Sequence, residues 1–148
     1  MVQIGPKLMG GDVDFSVPVD VAYAYLADPR TRPEWQSSLK SVEMLDEGEP
    51  RVGMRWRDYT AARIVPDMQI TILEPGDMWA EVGHWRAISA ILMLSFEPTA
   101  GGCTVGVAFR VRAPGLLAPV GWVATVAGVL PVMADVKRAA RILAARTS

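Results

Sequence analysis

One cysteine and one histidine in 148 residues set the first limits on this chain. A single thiol, Cys103, cannot close an intramolecular disulfide, and with His84 alone it cannot complete a Cys/His zinc cage. No glycine-rich strand-to-helix turn is present to cradle a phosphate, so nucleotide and flavin motifs are missing and no metal or cofactor is expected. An excess of charge of either sign is missing as well. Fifteen Lys and Arg stand against 16 Asp and Glu, a net charge of −1, which leaves no positive field to attract nucleic acid. Asp12 and Asp14 interrupt the N-terminal stretch before a secretory apolar segment can form. A reducing, cytoplasmic setting is the expectation.

Charge is absent altogether from 113–134, the run APGLLAPVGWVATVAGVLPVMA. As a helix it could span about 30 Å, the thickness of a bilayer core. Pro114, Pro119 and Pro131, with Gly115, Gly121 and Gly128, weaken that helix. The remaining apolar residues also need a cover, so the segment is expected to be a lid over a core and not a membrane span.

The chain is 51% hydrophobic and 21% charged, which argues against disorder, and its length fits one domain over 1–148. Leu8 to Val17 alternates loosely and reads as a first strand. Pro18 suits the first turn of a helix that should end at Asp28, because Pro29 disfavours helical geometry in the residue before it. A second short helix or turn covers Arg30 to Ser37. From Leu39 onward, apolar runs are separated by the clusters GEP, VPD, EPGD and EPTAGG. Strands are expected near Leu39–Asp46, Gly53–Ala61, Asp67–Leu73, Met78–Arg86, Ser89–Phe96 and Cys103–Arg112, in one antiparallel meander. In the last, Val105, Val107, Phe109 and Val111 alternate with Thr104, Gly106, Ala108 and Arg110, giving one buried face. A C-terminal helix should begin after Pro119 and bend near Pro131. Its second half is amphipathic, whereas its first half is apolar on nearly every side and is expected to be covered on more than one face.

This order of elements, with VPVDVAYAYLADPRTRPEW at Val17–Trp35, EPGDMWAEV from Glu74 and FEPTAGGCTVGVAFRVR from Phe96, resembles the START-like, polyketide cyclase/dehydrase-like (SRPBCC) superfamily. The resemblance implies an α+β helix-grip fold: a curved seven-stranded antiparallel sheet around a long C-terminal helix, two short helices after the first strand, and a ligand cavity between helix and sheet.

Candidate site residues follow from that cavity and from side-chain chemistry. Trp35, Trp56, Met68, Leu92, Phe96, Phe109, Val126, Leu130 and Met133 are candidates for an apolar wall, since aromatic and thioether groups suit adaptable pockets. Asp58 shares a strand face with Trp56, so if one faces the cavity the other does too, and a buried carboxylate needs a partner such as an arginine. His84 titrates near neutrality, which makes it a general-base candidate, though a lone strand histidine is more often structural. Asp58 and His84 are thus weak catalytic candidates and ligand-binding ones, with Arg57 and Tyr59 the other groups available for proton transfer. Strand 78–86 carries Trp79, Glu81, Gly83 and Trp85 on one face and Ala80, Val82, His84 and Arg86 on the other, and periodicity does not say which is inner. Ile91 and Met93, alternating with Leu92 and Leu94, leave an apolar outer patch that suggests a homodimer or a protein partner.

The leading expectation is a binder or carrier of a hydrophobic small molecule such as a lipid, a fatty acyl chain or a polyketide-like compound. A polyketide aromatase/cyclase or dehydratase is the alternative, and a protein-interaction or regulatory module the third.

Overall fold

The computed structural model describes residues 7–147. Strand β1 (Met9–Phe15) runs into Val17-Pro18, where the Pro18 carbonyl accepts from the amides of Val21 and Ala22 at 3.1 Å and so opens α1 (Val19–Ala27). Pro29 stops this helix at Asp28, whose carboxylate accepts from the Arg30 amide and starts a 3-10 turn over Pro29–Thr31. The turn leads directly into α2 (Arg32–Trp35), which delivers Arg32 and Trp35 to the interior.

Six further strands follow: β2 (Leu39–Met44), β3 (Arg55–Thr60), β4 (Asp67–Glu74), β5 (Met78–Trp85), β6 (Ile88–Thr99) and β7 (Gly102–Arg112). They form one antiparallel sheet in the order β1-β7-β6-β5-β4-β3-β2. β6 is longer than its apolar pattern suggests, because Glu97, Pro98 and Thr99 continue the ladder opposite Thr104, Cys103 and Gly102. Gly102 is required there: a Cβ would lie 2.1 Å from the Phe15 carbonyl oxygen, so only glycine lets β7 close on the end of β1. On β7, Val105, Val107 and Val111 are buried and face α3 with Phe109, as their alternation predicts.

Helix α3 (Ala118–Thr147) lies against β7 and β1. It continues through Pro131, which sits on an exposed face where water can take the carbonyl released by the missing N–H. Gly121, Thr125, Val136, Ala139 and Leu143 make its buried stripe. The outer face of the first half is uncovered, which corrects the expectation of burial on several sides: Val120, Val123, Val126 and Leu130 are all exposed. By length and composition, Gly115–Thr147 is long and apolar enough to cross a membrane.

Ladder pairing between β1 and β7 runs from Phe15 opposite Cys103 to Met9 opposite Phe109, so the edge of β7 at Val111 needs another partner. Thr125 supplies it. Its Oγ accepts from the Val111 amide at 2.8 Å and donates back along its own helix to the Gly121 carbonyl at 2.7 Å. Thr125→Val preserves the shape and leaves that buried N–H unpaired. Unfolding free energy is expected to fall by about 1–3 kcal/mol in urea titrations, with an unchanged m-value. A loss below about 0.5 kcal/mol would mean that the strand end is capped by something else.

Candidate functional site

Between the sheet and α3 lies a cavity of about 210 Å³. Its walls come from Met68 on β4, Gly83 and Trp85 on β5, Ile88, Ala90, Ile91 and Leu92 on β6, Phe109 on β7 and Val132 on α3, mostly apolar, with Gln36 and Thr60 as neutral polar members. The Arg86 guanidinium stacks over the Trp85 ring at 4.8 Å. Three charged side chains also border the space: Arg32, Asp58 and Glu81.

These three form one buried unit. Arg32 donates from Nη1 to Glu81 Oε2 at 2.7 Å and from Nη2 to Asp58 Oδ2 at 3.0 Å, and all three side chains are at most 5% exposed. The indole N–H of Trp56 donates to Asp58 Oδ1 at 2.9 Å, so both oxygens of Asp58 are engaged. The Trp35 and Trp56 rings lie 5.9 and 5.5 Å from the guanidinium carbon, adding cation–π contacts where water is excluded. Burial works against the charge on Arg32, yet Glu81 and Asp58 together hold its guanidinium above the usual arginine value. For Glu81 the balance goes the other way. Burial pushes its carboxyl up to about 7, Arg32 opposes the shift, and the neighbouring Asp58 charge adds to it.

A protein-family model described as polyketide cyclase / dehydrase and lipid transport matches residues 11–147. The chain belongs to that family. No curated protein sequence matches it. Among solved structures it is similar to MLL2253 from Mesorhizobium loti, with a TM-score of 0.75 at 16% identity, covering 96% of this chain and 99% of that one. It is also similar to the Zhui aromatase/cyclase from Streptomyces sp. R1128, with a TM-score of 0.72 at 16% identity and 96% of both chains covered. The di-domain aromatase/cyclase StfQ of the steffimycin biosynthetic pathway gives a TM-score of 0.71 at 16% identity, covering 92% of this chain and 50% of that one. At such identities the likeness establishes the helix-grip fold.

Within this family member, four of the eleven candidate side chains border the cavity: Asp58, Met68, Leu92 and Phe109. Trp35 and Trp56 stand one layer behind it, packed on Arg32. Phe96 lies further along β6, buried edge-on against Tyr23 of α1 with ring centroids 4.9 Å apart. Met133 turns toward β1, where its Cε would meet a Cβ at Gly11 at 3.3 Å. Val126 and Leu130 are 61% and 79% exposed, because they follow Thr125 and precede Val132 on the far side of the helix. His84 is exposed on the outer face of β5, three residues from Glu81 and therefore on the opposite side of the sheet. It is removed from any role inside the cavity. Arg57 and Tyr59 also point outward, where they bond Glu43, and Arg57 reaches Asp67 as well. Cys103 is buried, and burial raises its thiol, which disfavours the reactive thiolate.

Glu81 is the site residue that the sequence reading passed over. Trp79, Glu81 and Gly83 are the buried face of β5, so the face carrying the carboxylate is the inner one. A raised carboxyl reverses the usual acid dependence of stability. Between an unfolded value near 4.5 and the folded value of about 7, the native chain holds a proton that the unfolded chain has released. This contribution is complete below about pH 4.5 and is lost as pH rises through about 7. Glu81→Gln cannot titrate. Comparing urea midpoints at about pH 5 and pH 8, the native chain is expected to lose on the order of 3 kcal/mol relative to the variant. Parallel pH profiles would show that Glu81 is charged throughout.

Proposed function

We propose that this chain binds a hydrophobic small molecule in the cavity between its sheet and α3, with the polar end of the ligand at Glu81. The observation that carries this reading is a mostly apolar space of about 210 Å³ bordered by a buried charged cluster, Arg32, Asp58 and Glu81, with Gln36 and Thr60 as its other polar members. Mostly apolar walls with a few convergent polar groups are the usual composition of a small-molecule site. The family's description, which includes lipid transport, agrees with it.

A neutral fluorescent probe such as 1-aminoanthracene tests the reading. Ala90 borders the cavity, so Ala90→Trp fills it and is expected to weaken probe binding at least about tenfold, with a native circular dichroism spectrum. Leu130→Trp adds the same bulk on the exposed side of α3 and is expected to leave affinity unchanged. Equal effects of the two variants would put the probe outside the cavity.

One observation favours a second reading, a polyketide cyclase or dehydratase like the aromatase/cyclases this chain resembles in fold. A carboxyl held near 7 can both give and take a proton at neutral pH, the property required of a general acid or base. If a linear poly-β-ketone substrate is turned over, Glu81→Gln is expected to lower the rate roughly 100- to 10,000-fold while the probe still binds. Absence of turnover in the native chain would leave the binder as the function.

A further inference from the structure

We propose that Glu81 is a specificity-determining residue: its protonated carboxyl donates a hydrogen bond from Oε1 to a neutral carbonyl oxygen on the ligand, and ligands ending in a carboxylate are turned away. This rests on the ligand-binding reading above and adds which head group the cavity selects.

The argument starts from the distribution of hydrogen bonds. Asp58 receives two donors, one on each oxygen, and one carboxylate is enough to balance the single guanidinium of Arg32. A negative charge on Glu81 would then be in surplus. Glu81 Oε2 is taken by Arg32 Nη1, so a proton on this carboxyl belongs on Oε1. Among the described residues Oε1 makes no hydrogen bond, yet it is not among the side-chain atoms sealed from solvent without a partner. Since Glu81 borders the cavity, Oε1 is the atom that can meet an occupant.

Among the described residues, the elements packed around it supply no other charge. Arg32 from α2 and Asp58 from β3 are the ionisable groups facing Glu81, whereas β4, β6, β7 and α3 bring Met68, Leu92, Phe109 and Val132. An incoming carboxylate would therefore meet Asp58 and no accessible cation, because both terminal nitrogens of Arg32 bind the two carboxyl groups and its Nε, which has no partner, is sealed from solvent. Desolvating it there is unfavourable. A ketone, ester or quinone oxygen brings no charge and accepts the proton of Glu81, beside the neutral Gln36 on the same wall.

Three probes of one shape separate the outcomes: 2-acetylnaphthalene, 2-ethylnaphthalene and 2-naphthoate, each measured by displacement of 1-aminoanthracene at about pH 5.5 and pH 8.5. At the lower pH the ketone is expected to bind roughly 3- to 10-fold more tightly than the hydrocarbon, the worth of one neutral hydrogen bond, and the naphthoate most weakly. Raising the pH should erase the ketone's advantage without changing the hydrocarbon's affinity. In Glu81→Gln, the amide carbonyl can accept from Arg32 while its NH2 group faces the cavity. That variant should keep the ketone preference at both pH values, and Glu81→Met should lose it at both. No ketone preference at pH 5.5, a preference independent of pH in the native chain, or naphthoate binding as tight as the ketone would each overturn the proposal while leaving the cavity a binding site. Failure of all three compounds and of the displaced probe to bind would remove the ligand-binding reading itself, and the proposal with it.

Discussion

One guanidinium holds two carboxyl groups at the wall of a mostly apolar cavity, and much of the interior is arranged around that contact. Arg32 reaches it from a four-residue helix, Asp58 from β3 and Glu81 from β5, so segments far apart in sequence meet at a single point. Trp35 and Trp56 close over the guanidinium, and the Trp56 indole also satisfies the Asp58 oxygen that Arg32 leaves open. Removing one partner from such a unit costs about 3–5 kcal/mol, yet replacing the whole unit with apolar side chains is often neutral or stabilising. Stability is thus a weak reason for the trio to be there. A polar end for an apolar cavity is a better one, and Glu81, the member with an uncommitted oxygen, is where that end becomes available to an occupant.

The same constraint explains why α3 is fastened at several points along its length. Thr125 caps the end of β7, Asp135 accepts from the Ser37 amide and hydroxyl at 3.2 and 2.8 Å, and Arg146 pairs with Glu34 at the base of α2. The last two ties join the helix to the α2 segment that carries Arg32. The cavity is therefore walled by parts that are fixed to each other, with Val132 held over the buried charges by contacts on either side of it. The Arg146–Glu34 pair is exposed and adds little by itself. Asp135 is buried and does more to set where the helix lies.

Much of this fold was legible because periodicity and punctuation are local signals. Pro18 and Pro29 bound α1, the Gly/Pro/Asp clusters separate the strands, and the alternation along β7 gives the inner face directly. The cavity wall was harder to read, for a physical reason. A helical stretch apolar on every side does not say which face packs, so Val126 and Leu130, expected on the cavity wall, are exposed instead. On β5 the apolar and polar residues are mixed on both faces, so alternation could not choose between Glu81 and His84. The burial of Trp79 and Gly83 beside Glu81 decides it. Asp58 was readable as a carboxylate in need of an arginine, but the identity of that arginine is a tertiary fact. Arg32 lies 26 residues earlier on a helix too short to show a face.

The cavity itself depends on small side chains in positions that a closed core would fill. Gly83 lies where a Cβ would meet Met68 Sδ at 2.7 Å, and Ala90 sits beside it across the β5–β6 ladder. On α3, Gly128 makes room for the Phe109 ring, whose Cε1 would lie 2.5 Å from a Cβ there, so the ring tucks under the helix. These small residues keep open a space on which the carboxyl of Glu81 borders. A larger residue at position 90 would close part of it without disturbing the charged trio, whose members come from other segments. The same backbone positions that loosen the packing between sheet and helix therefore give an apolar molecule carrying its own hydrogen-bonding group a place beside a carboxyl with a free oxygen.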